Sequence, residues 1–286
     1  MHTLNSWKQV GRYFDYQGNK VFYVDEGVGK PIVLLHGYPT AGYDWVHIWN
    51  GLKDNNRLIA PDFIGFGFSD KPKNLNYSIH LQTNMVEALL AYLGVNEFHL
   101  VVHDYAVSVA QELISRQIDN TAGYKIHSVC LLNGGLIPKL HRPVLMQKLL
   151  LSPIGPLLGM LFNEQRFAKS FGQVFAPDKK PDAKAMHEFW ELIKFNNGQA
   201  IIHKLLHYIA DRRANQSRWV NAIVNPPMPV RLINGSLDPV SGKHLADGYR
   251  AIVKNPAIVE LPTTGHYPQV ESPAEVLLAI KEWIGN

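Results

Sequence analysis

Between Phe98 and Glu112 the sequence FHLVVHDYAVSVAQE passes from an apolar run with the character of a buried strand straight into a helical pattern, with no loop residues between. A chain that turns so abruptly places one residue on a sharp, strained corner. Its side chain then projects from the sheet, and the next residue's N–H faces the same space. Asp104 occupies that corner. An Asp at a strand-to-helix junction also serves as an ordinary helix N-cap, so the junction alone leaves a structural role open.

Two later segments supply partners for it. The apolar strand Val230–Ile233 ends in NGSLDPV, which puts Asp238 just past a strand's C-terminal end, where open α/β sheets gather their ligand-contacting residues. The strand Ala257–Leu261 runs into TTGHYPQVE, which puts His266 on a Gly-containing loop before the last helix. A histidine that takes a proton from water needs a carboxylate to fix its tautomer and stabilise the imidazolium, and Asp238 can serve. The order nucleophile, acid, histidine is that of α/β-hydrolases and differs from the chymotrypsin and subtilisin orders. Upstream, Pro31–Leu35 ends in HGYP, residues His36 to Pro39, a tight turn where the N–H of Tyr38 can join that of Tyr105 to face a developing oxyanion. Gly65 and Gly67 in PDFIGFGFSDKP form no phosphate loop, since neither a GxxxxGK nor a GxGxxG pattern opens the next helix; they are expected to make a rigid turn beside the site.

Strands are expected at Tyr13–Tyr16, Val21–Asp25, Ile32–Leu35, Arg57–Ala60, Phe98–Val102, Ile126–Leu132, Val230–Ile233 and Ala257–Leu261. The first two form a hairpin turned by Gln17 to Asn19, and the others alternate with helices as a parallel sheet with right-handed crossovers. The fold class is therefore α/β, a mostly parallel eight-stranded sheet flanked by helices. Ser78 caps a helix ending near Leu93 with Gly94 as its stop, and Ser272, Pro273 and Glu275 read as a capping box for the last helix. Prolines in IPKLHRP interrupt the sixth strand's pattern and mark a boundary near Leu136.

The blocks LLHGYPTAGYDW, DFIGFGFSDKP, YSIHLQ, VEALL, HDY, VAQEL, LNGGLIP, HRPVLMQKLL, SLDPV and HYPQVE span the chain, and on them it resembles the α/β-hydrolase superfamily. Within that superfamily it is similar to the epoxide hydrolase and haloalkane dehalogenase branch, with an Asp nucleophile, and closest to the mesoderm-specific transcript protein group. The resemblance implies a core domain over 1–135 and 226–286, a helical cap over 136–225 inserted after the sixth strand, and a triad of Asp104, Asp238 and His266. It departs from the branch at Ala106, where the elbow usually carries Gly, and at Val102, where a small residue is preferred; a strained or altered elbow is expected. Dehalogenases of the branch follow the nucleophile with Trp and hold halide with a further polar residue or Trp, whereas this chain has Tyr105 and Tyr38, a pattern closer to epoxide hydrolases.

Related epoxide hydrolases protonate the leaving oxygen with cap tyrosines, and Tyr208 is the one tyrosine between Leu136 and Asn225. It shares a helical stripe with Ile201 and Leu205, which turns the phenol inward and Asp211, Arg212 and Arg213 toward water; the alternative is a core tyrosine with a satisfied hydroxyl. The expected activity is hydrolysis of a small, mainly apolar epoxide through an alkyl ester on Asp104. Dehalogenation and lactone or ester hydrolysis are the alternatives, and a catalytically silent scaffold is the rival of a different class.

Composition constrains the rest. At 46% hydrophobic and 18% charged the chain has ample core, and its formal charge of +4 is uneven. Residues 136–225 hold 13 Lys and Arg against 6 Asp and Glu, a net of +7, while the remainder carries −3. Basic residues occur at most in pairs, such as Lys179 and Lys180, which argues against a nucleic-acid surface; the basic segment suits anionic substrates, acidic lipid or simply water. The single Cys130 lies in the apolar strand HSVCLLN and has no internal partner, so a reducing, cytoplasmic home is expected. MHTLNSWKQVG lacks the apolar core of a signal peptide, and the run Leu149–Phe162 is too short and proline-rich to span a bilayer; it is expected to line the substrate path. His203 and His207 stand i, i+4 without a carboxylate or thiol to complete a metal site, and neither metal nor cofactor is expected. A small-molecule substrate is the expected partner; nothing in the pattern sets an oligomeric state.

Overall fold

The computed structural model describes residues 2–285; Met1 and Asn286, the ends of the expected core domain, lie outside the described residues. The eight strands are β1 (Arg12–Tyr16), β2 (Asn19–Glu26), β3 (Lys30–Leu35), β4 (Asn56–Pro61), β5 (Glu97–His103), β6 (Lys125–Leu132), β7 (Val230–Gly235) and β8 (Ala257–Leu261). They form one sheet in the order β1-β2-β4-β3-β5-β6-β7-β8. β1 and β2 pair antiparallel as the expected hairpin, β2 also meets β4 antiparallel, and every pairing from β4 to β8 is parallel. All strands lie within two residues of their expected limits.

A parallel strand is covered on both faces, so its side chains enter two separate cores. Val33 and Leu35 of β3, with Leu100 and Val102 of β5, face the helix Tyr105–Ile118. Ile32 and Leu34, with Val101 and the buried Cys130, face Trp45, Trp49 and Ile280 on the other side. This alternation places β5 centrally, with its C-terminal end opening on the site.

Between β6 and β7 the described residues contain only helices and turns, from Pro138–Leu140 to Gln216–Val224. The helix Gln216–Val224 lies against Tyr105–Ile118, and the contact centres on Glu112, which is 3% exposed. Its carboxylate accepts from Arg116 Nε at 3.0 Å, Arg218 Nε at 2.9 Å and Trp219 Nε1 at 2.8 Å. Burial pushes this carboxyl's pKa up, but the hydrogen bonds from His80, Arg218, Trp219 and Arg116 outweigh it and hold the group below the usual carboxylate range.

Three local expectations are corrected. Ser78 caps its helix as expected, through Leu81 N–H at 3.1 Å, but Ser272 makes no capping bond. Its hydroxyl is taken by Thr264 Oγ1 at 2.6 Å and Lys179 Nζ at 2.7 Å, a tertiary tie that competes with the cap. The helical stripe expected to run from Ile201 to Tyr208 breaks into Ile202–Leu205 and Tyr208–Ala214. Arg212, expected to meet water, is 2% exposed.

Glu112→Ala would leave the buried Trp219 indole N–H without its acceptor and take one of two carboxylate partners from each of Arg116 and Arg218, which keep Glu87 and Asp119, and it is expected to cost about 2 kcal/mol. Urea denaturation measures the loss; a change below about 1 kcal/mol would mean the hub contributes little.

Candidate active site

Asp104 stands between β5 and the helix Tyr105–Ile118 with φ 45° and ψ −100°, a backbone conformation that L residues rarely adopt. The junction is held from several sides. Asp104 N–H donates to Asn133 O at 2.9 Å, and Asp104 O accepts from Arg212 Nη2 at 2.9 Å. Both Ala106 and Val102 are fully buried, and the elbow forms with them in place. The close approach is met from across the corner. A Cβ on Gly134 would lie 2.8 Å from Asp104 O, and one on Gly37 would lie 3.0 Å from Asp104 Cβ.

The carboxylate is 3% exposed at the residue level and points at the HGYP turn. Tyr38 N–H donates to Asp104 Oδ2 at 3.0 Å. His36 rigidifies that turn: Nδ1 donates to Gly37 O at 2.8 Å and Nε2 accepts from Phe63 N–H at 3.1 Å, a pattern that requires the neutral imidazole. Burial agrees, pushing the His36 pKa down to about 3. Tyr105 opens its helix, so its N–H is among the first-turn donors that have no intrahelical acceptor.

His266 Nδ1 donates to Asp238 Oδ2 at 2.7 Å, while His266 Nε2 lies 3.8 Å from Asp104 Oδ1. The first is a short charge-assisted hydrogen bond and the second is too long to be one. Asp238 also accepts from Ser241 Oγ at 2.6 Å, Asn133 Nδ2 at 2.8 Å and Val240 N–H at 2.7 Å. Burial pushes its pKa up, but His266 and these donors win and bring it to about 2. For His266 burial pushes down, yet Asp238, Asp104 and Glu271 raise it to about 9. His103 Nε2 donates to His266 O at 2.7 Å, and burial drives His103 down to about 3, so this neighbour stays neutral.

The three segments expected to converge thus do so, and the turn with Gly65 and Gly67 packs beside them. Phe63 and Phe66 from it lie 5.4 and 5.3 Å, ring to ring, from Tyr105. A Cβ on Gly67 would fall 2.0 Å from Asp62 Oδ2, which is bound to Phe68 N–H and keeps the turn tight.

Tyr208 is fully buried, 5.1 Å ring to ring from Tyr105 and 6.2 Å from Tyr38. Burial, then the nearby Asp104 charge, raises its pKa, so the phenol keeps its proton. Gln147 Nε2 donates to its oxygen at 3.4 Å, and Arg212 stacks on its ring at 4.5 Å. Gln147, Tyr38 and His266 line a cavity whose other walls include Leu150, Phe162 and Phe171. Of the segment Leu149–Phe162, Leu150 and Phe162 line this cavity, whereas Leu151, Ile154, Leu157 and Leu161 are exposed.

Sequence reasoning missed Arg212 and Asn133. Arg212 Nε donates to Ser108 Oγ at 2.6 Å while Nη2 grips the elbow carbonyl, and it passes so close to Gly135 that a Cβ there would lie 2.3 Å from Nη1. The GG pair in LNGGLIP was the available signal: two adjacent glycines after a strand point to close approach by something bulky. Gly135→Ala is expected to displace Arg212 and cost about 2 kcal/mol in urea denaturation. Gly123→Ala, whose methyl meets nothing within 4 Å, serves as the silent control.

The family model described as "Alpha/beta hydrolase family" matches residues 32–279. The mesoderm-specific transcript homolog protein of Bos taurus is 41% identical over 99% of this chain and 88% of its own length. The cis-3-alkyl-4-alkyloxetan-2-one decarboxylase of Shewanella oneidensis is 26% identical over 99% of this chain and 90% of its own. The crystal structure of haloalkane dehalogenase DatA from Agrobacterium tumefaciens C58 superimposes with a TM-score of 0.79 at 22% identity, covering 96% of each chain, which speaks to the fold. With a family match over most of its length and a relative of this identity, the chain belongs to the alpha/beta hydrolase family.

Proposed function

We propose that this chain hydrolyses a small, mainly apolar epoxide through a covalent alkyl ester on Asp104, under a helical cap formed by residues 136–225. The observation that carries the reading is the spacing of the imidazole: His266 Nε2 stands 3.8 Å from Asp104 Oδ1, with Asp238 bound behind it. A base meant to deprotonate a hydroxyl nucleophile is hydrogen-bonded to it. A carboxylate needs no deprotonation, and an imidazole set back from it is free to address water.

Asp104 attacks a ring carbon, the C–O bond breaks, and the Tyr208 phenol gives its proton to the leaving oxygen. Water then attacks the ester carbonyl while His266 takes its proton, and the oxyanion is met by the N–H groups of Tyr38 and Tyr105. Collapse frees Asp104 and the diol, and the proton held by His266 restores the phenol through solvent. His266 begins protonated, with a pKa of about 9 that Asp104 helps to raise. Esterification removes that carboxylate charge and so lowers the imidazole's pKa, the direction that a base requires, although Asp238 still raises it; the proton given up passes to solvent.

The cavity is lined by Tyr38, Tyr267 and the Gln147 amide, which donates to the Tyr208 phenol, and no Trp is among its lining residues; such a set suits an oxygen leaving group better than a halide. The oxetanone decarboxylase relative supports a second reading, a four-membered lactone opened by the same carboxylate. His266→Gln is expected to arrest the ester and add the mass of the intact epoxide to the protein. A haloalkane adduct that has lost its halide, or a β-lactone adduct, would instead assign the leaving group. A panel of all three that leaves the mass unchanged sinks the covalent reading in favour of a silent scaffold. One turnover in labelled water with excess enzyme should also place label in Asp104.

The pH dependence has a definite sign. Ester hydrolysis by neutral His266 rises with pH. Because the free protein's pKa is raised from 6.5 to about 9, the ion pair's contribution to stability is full below 6.5 and lost as pH climbs through about 9. Asp238→Asn removes the largest charge raising it, so the His266 titration followed by NMR should fall from about 9 toward its ordinary value.

A further inference from the structure

The segment from Leu145 to Leu161 is apolar on both of its sides. Its inner face supplies Met146, Leu150 and, just beyond it, Phe162 to the cavity wall. Its outer face leaves Leu145, Leu151, Ile154, Leu157, Met160 and Leu161 in water, with Leu145 71% and Met160 63% exposed. The two short helices here, Leu145–Leu150 and Gly155–Met160, pack against each other, so these side chains belong to one surface. Large exposed apolar side chains elsewhere, such as Val28, Leu237 and Leu278, are scattered singly. A contiguous apolar patch of this kind marks a docking surface.

The charge around it says what docks there. No Asp or Glu occurs between Asp119 and Glu164, while Lys139, Arg142 and Lys148 flank the patch and are exposed. The helices packed beneath it, Phe195–Ala200 and Ile202–Leu205, bring no carboxylate either and add Lys204, while burial lowers the His203 pKa and keeps that imidazole neutral. An apolar face ringed by cations fits the headgroup boundary of an anionic bilayer, where leucines enter the acyl region and lysines meet phosphate. A two-fold contact with a second copy would instead press like charges together.

We infer that the outer face of residues 145–161 docks on an anionic phospholipid surface, so that the same segment rests on lipid outside and lines the substrate cavity inside. An apolar substrate dissolved in the bilayer then reaches the cavity without crossing bulk water. Docking itself does not depend on the reaction proposed above, and its test uses no turnover.

The protein is sedimented with vesicles of phosphatidylglycerol and phosphatidylcholine, and with phosphatidylcholine alone. Binding is expected to the anionic vesicles, to weaken with added salt, and to fall about tenfold in Leu157→Asp/Met160→Asp, a change of about 1.4 kcal/mol. Both positions are exposed, so the melting temperature of the double variant should stay at that of the parent. Absence of vesicle binding, or binding unchanged in a double variant that melts normally, overturns the inference. So does a dimer in light scattering that the double substitution dissociates, since a second copy would then cover the face.

Discussion

The structure turns on one backbone corner, the left-handed conformation of Asp104 between a central strand and a helix. Such a conformation in a non-glycine residue costs about 1–3 kcal/mol and persists only where its surroundings over-determine it. Here the surroundings come from four separate parts of the chain. β5 is clamped between β3 and β6, Asn133 receives the amide, Arg212 grips the carbonyl, and Tyr38 N–H holds the carboxylate. Gly37 and Gly134 leave the room that a side chain would fill. Relaxing the corner would therefore break contacts made by the HGYP turn, the end of β6 and the insertion together.

The charges buried at this corner form a set that is close to neutral. Asp104 and Asp238 are carboxylates, His266 is an imidazolium below about pH 9, and the Arg212 guanidinium lies against the elbow carbonyl. Buried charges persist when paired and hydrogen-bonded, and Asp238 with its four partners meets that condition fully. Asp104 is held more lightly, with one backbone donor and an imidazole beyond hydrogen-bond range. The two acids thus have different environments. Asp238 is saturated with donors, and Asp104, with a single backbone donor, keeps most of its lone pairs free.

The sequence made the corner legible because its signals are local: an apolar strand, an Asp and a helical pattern without a gap. The same holds for Asp238 and His266, each just beyond a short apolar run ending in turn residues. The interior role of Arg212 was not legible. Its neighbours Asp211 and Arg213 are polar, so helical periodicity turned it outward, yet a buried partner set of Ser108 Oγ and Asp104 O outweighs that pattern. Those partners lie more than a hundred residues away, beyond the reach of any window. Ser272 failed as a cap for a related reason, since Thr264 and Lys179 compete for its hydroxyl from outside the helix. The break at Leu206 came from two short helices packing separately where an apolar stripe had suggested one.

How the insertion is tied down also limits how the site can open. His266 N–H donates to Val174 O at 2.9 Å, and Glu271 Oε2 accepts from both Ala176 N–H at 2.9 Å and Gly265 N–H at 2.7 Å. Gly265 is required there, because a Cβ would sit 2.5 Å from Ala176 N. Backbone 174–176 and the His266 loop are thus one unit, and lifting the whole insertion would carry the imidazole away from Asp238. At the far end, Arg212 fixes the insertion to the elbow itself. Access without disassembly has to come from a part bound by neither tie, and the stretch 144–162 is such a part: it holds the cavity through apolar side chains and Gln147. A wall made of dispersion contacts yields more readily than one made of buried charged hydrogen bonds, so this stretch is the part of the cavity wall held least tightly.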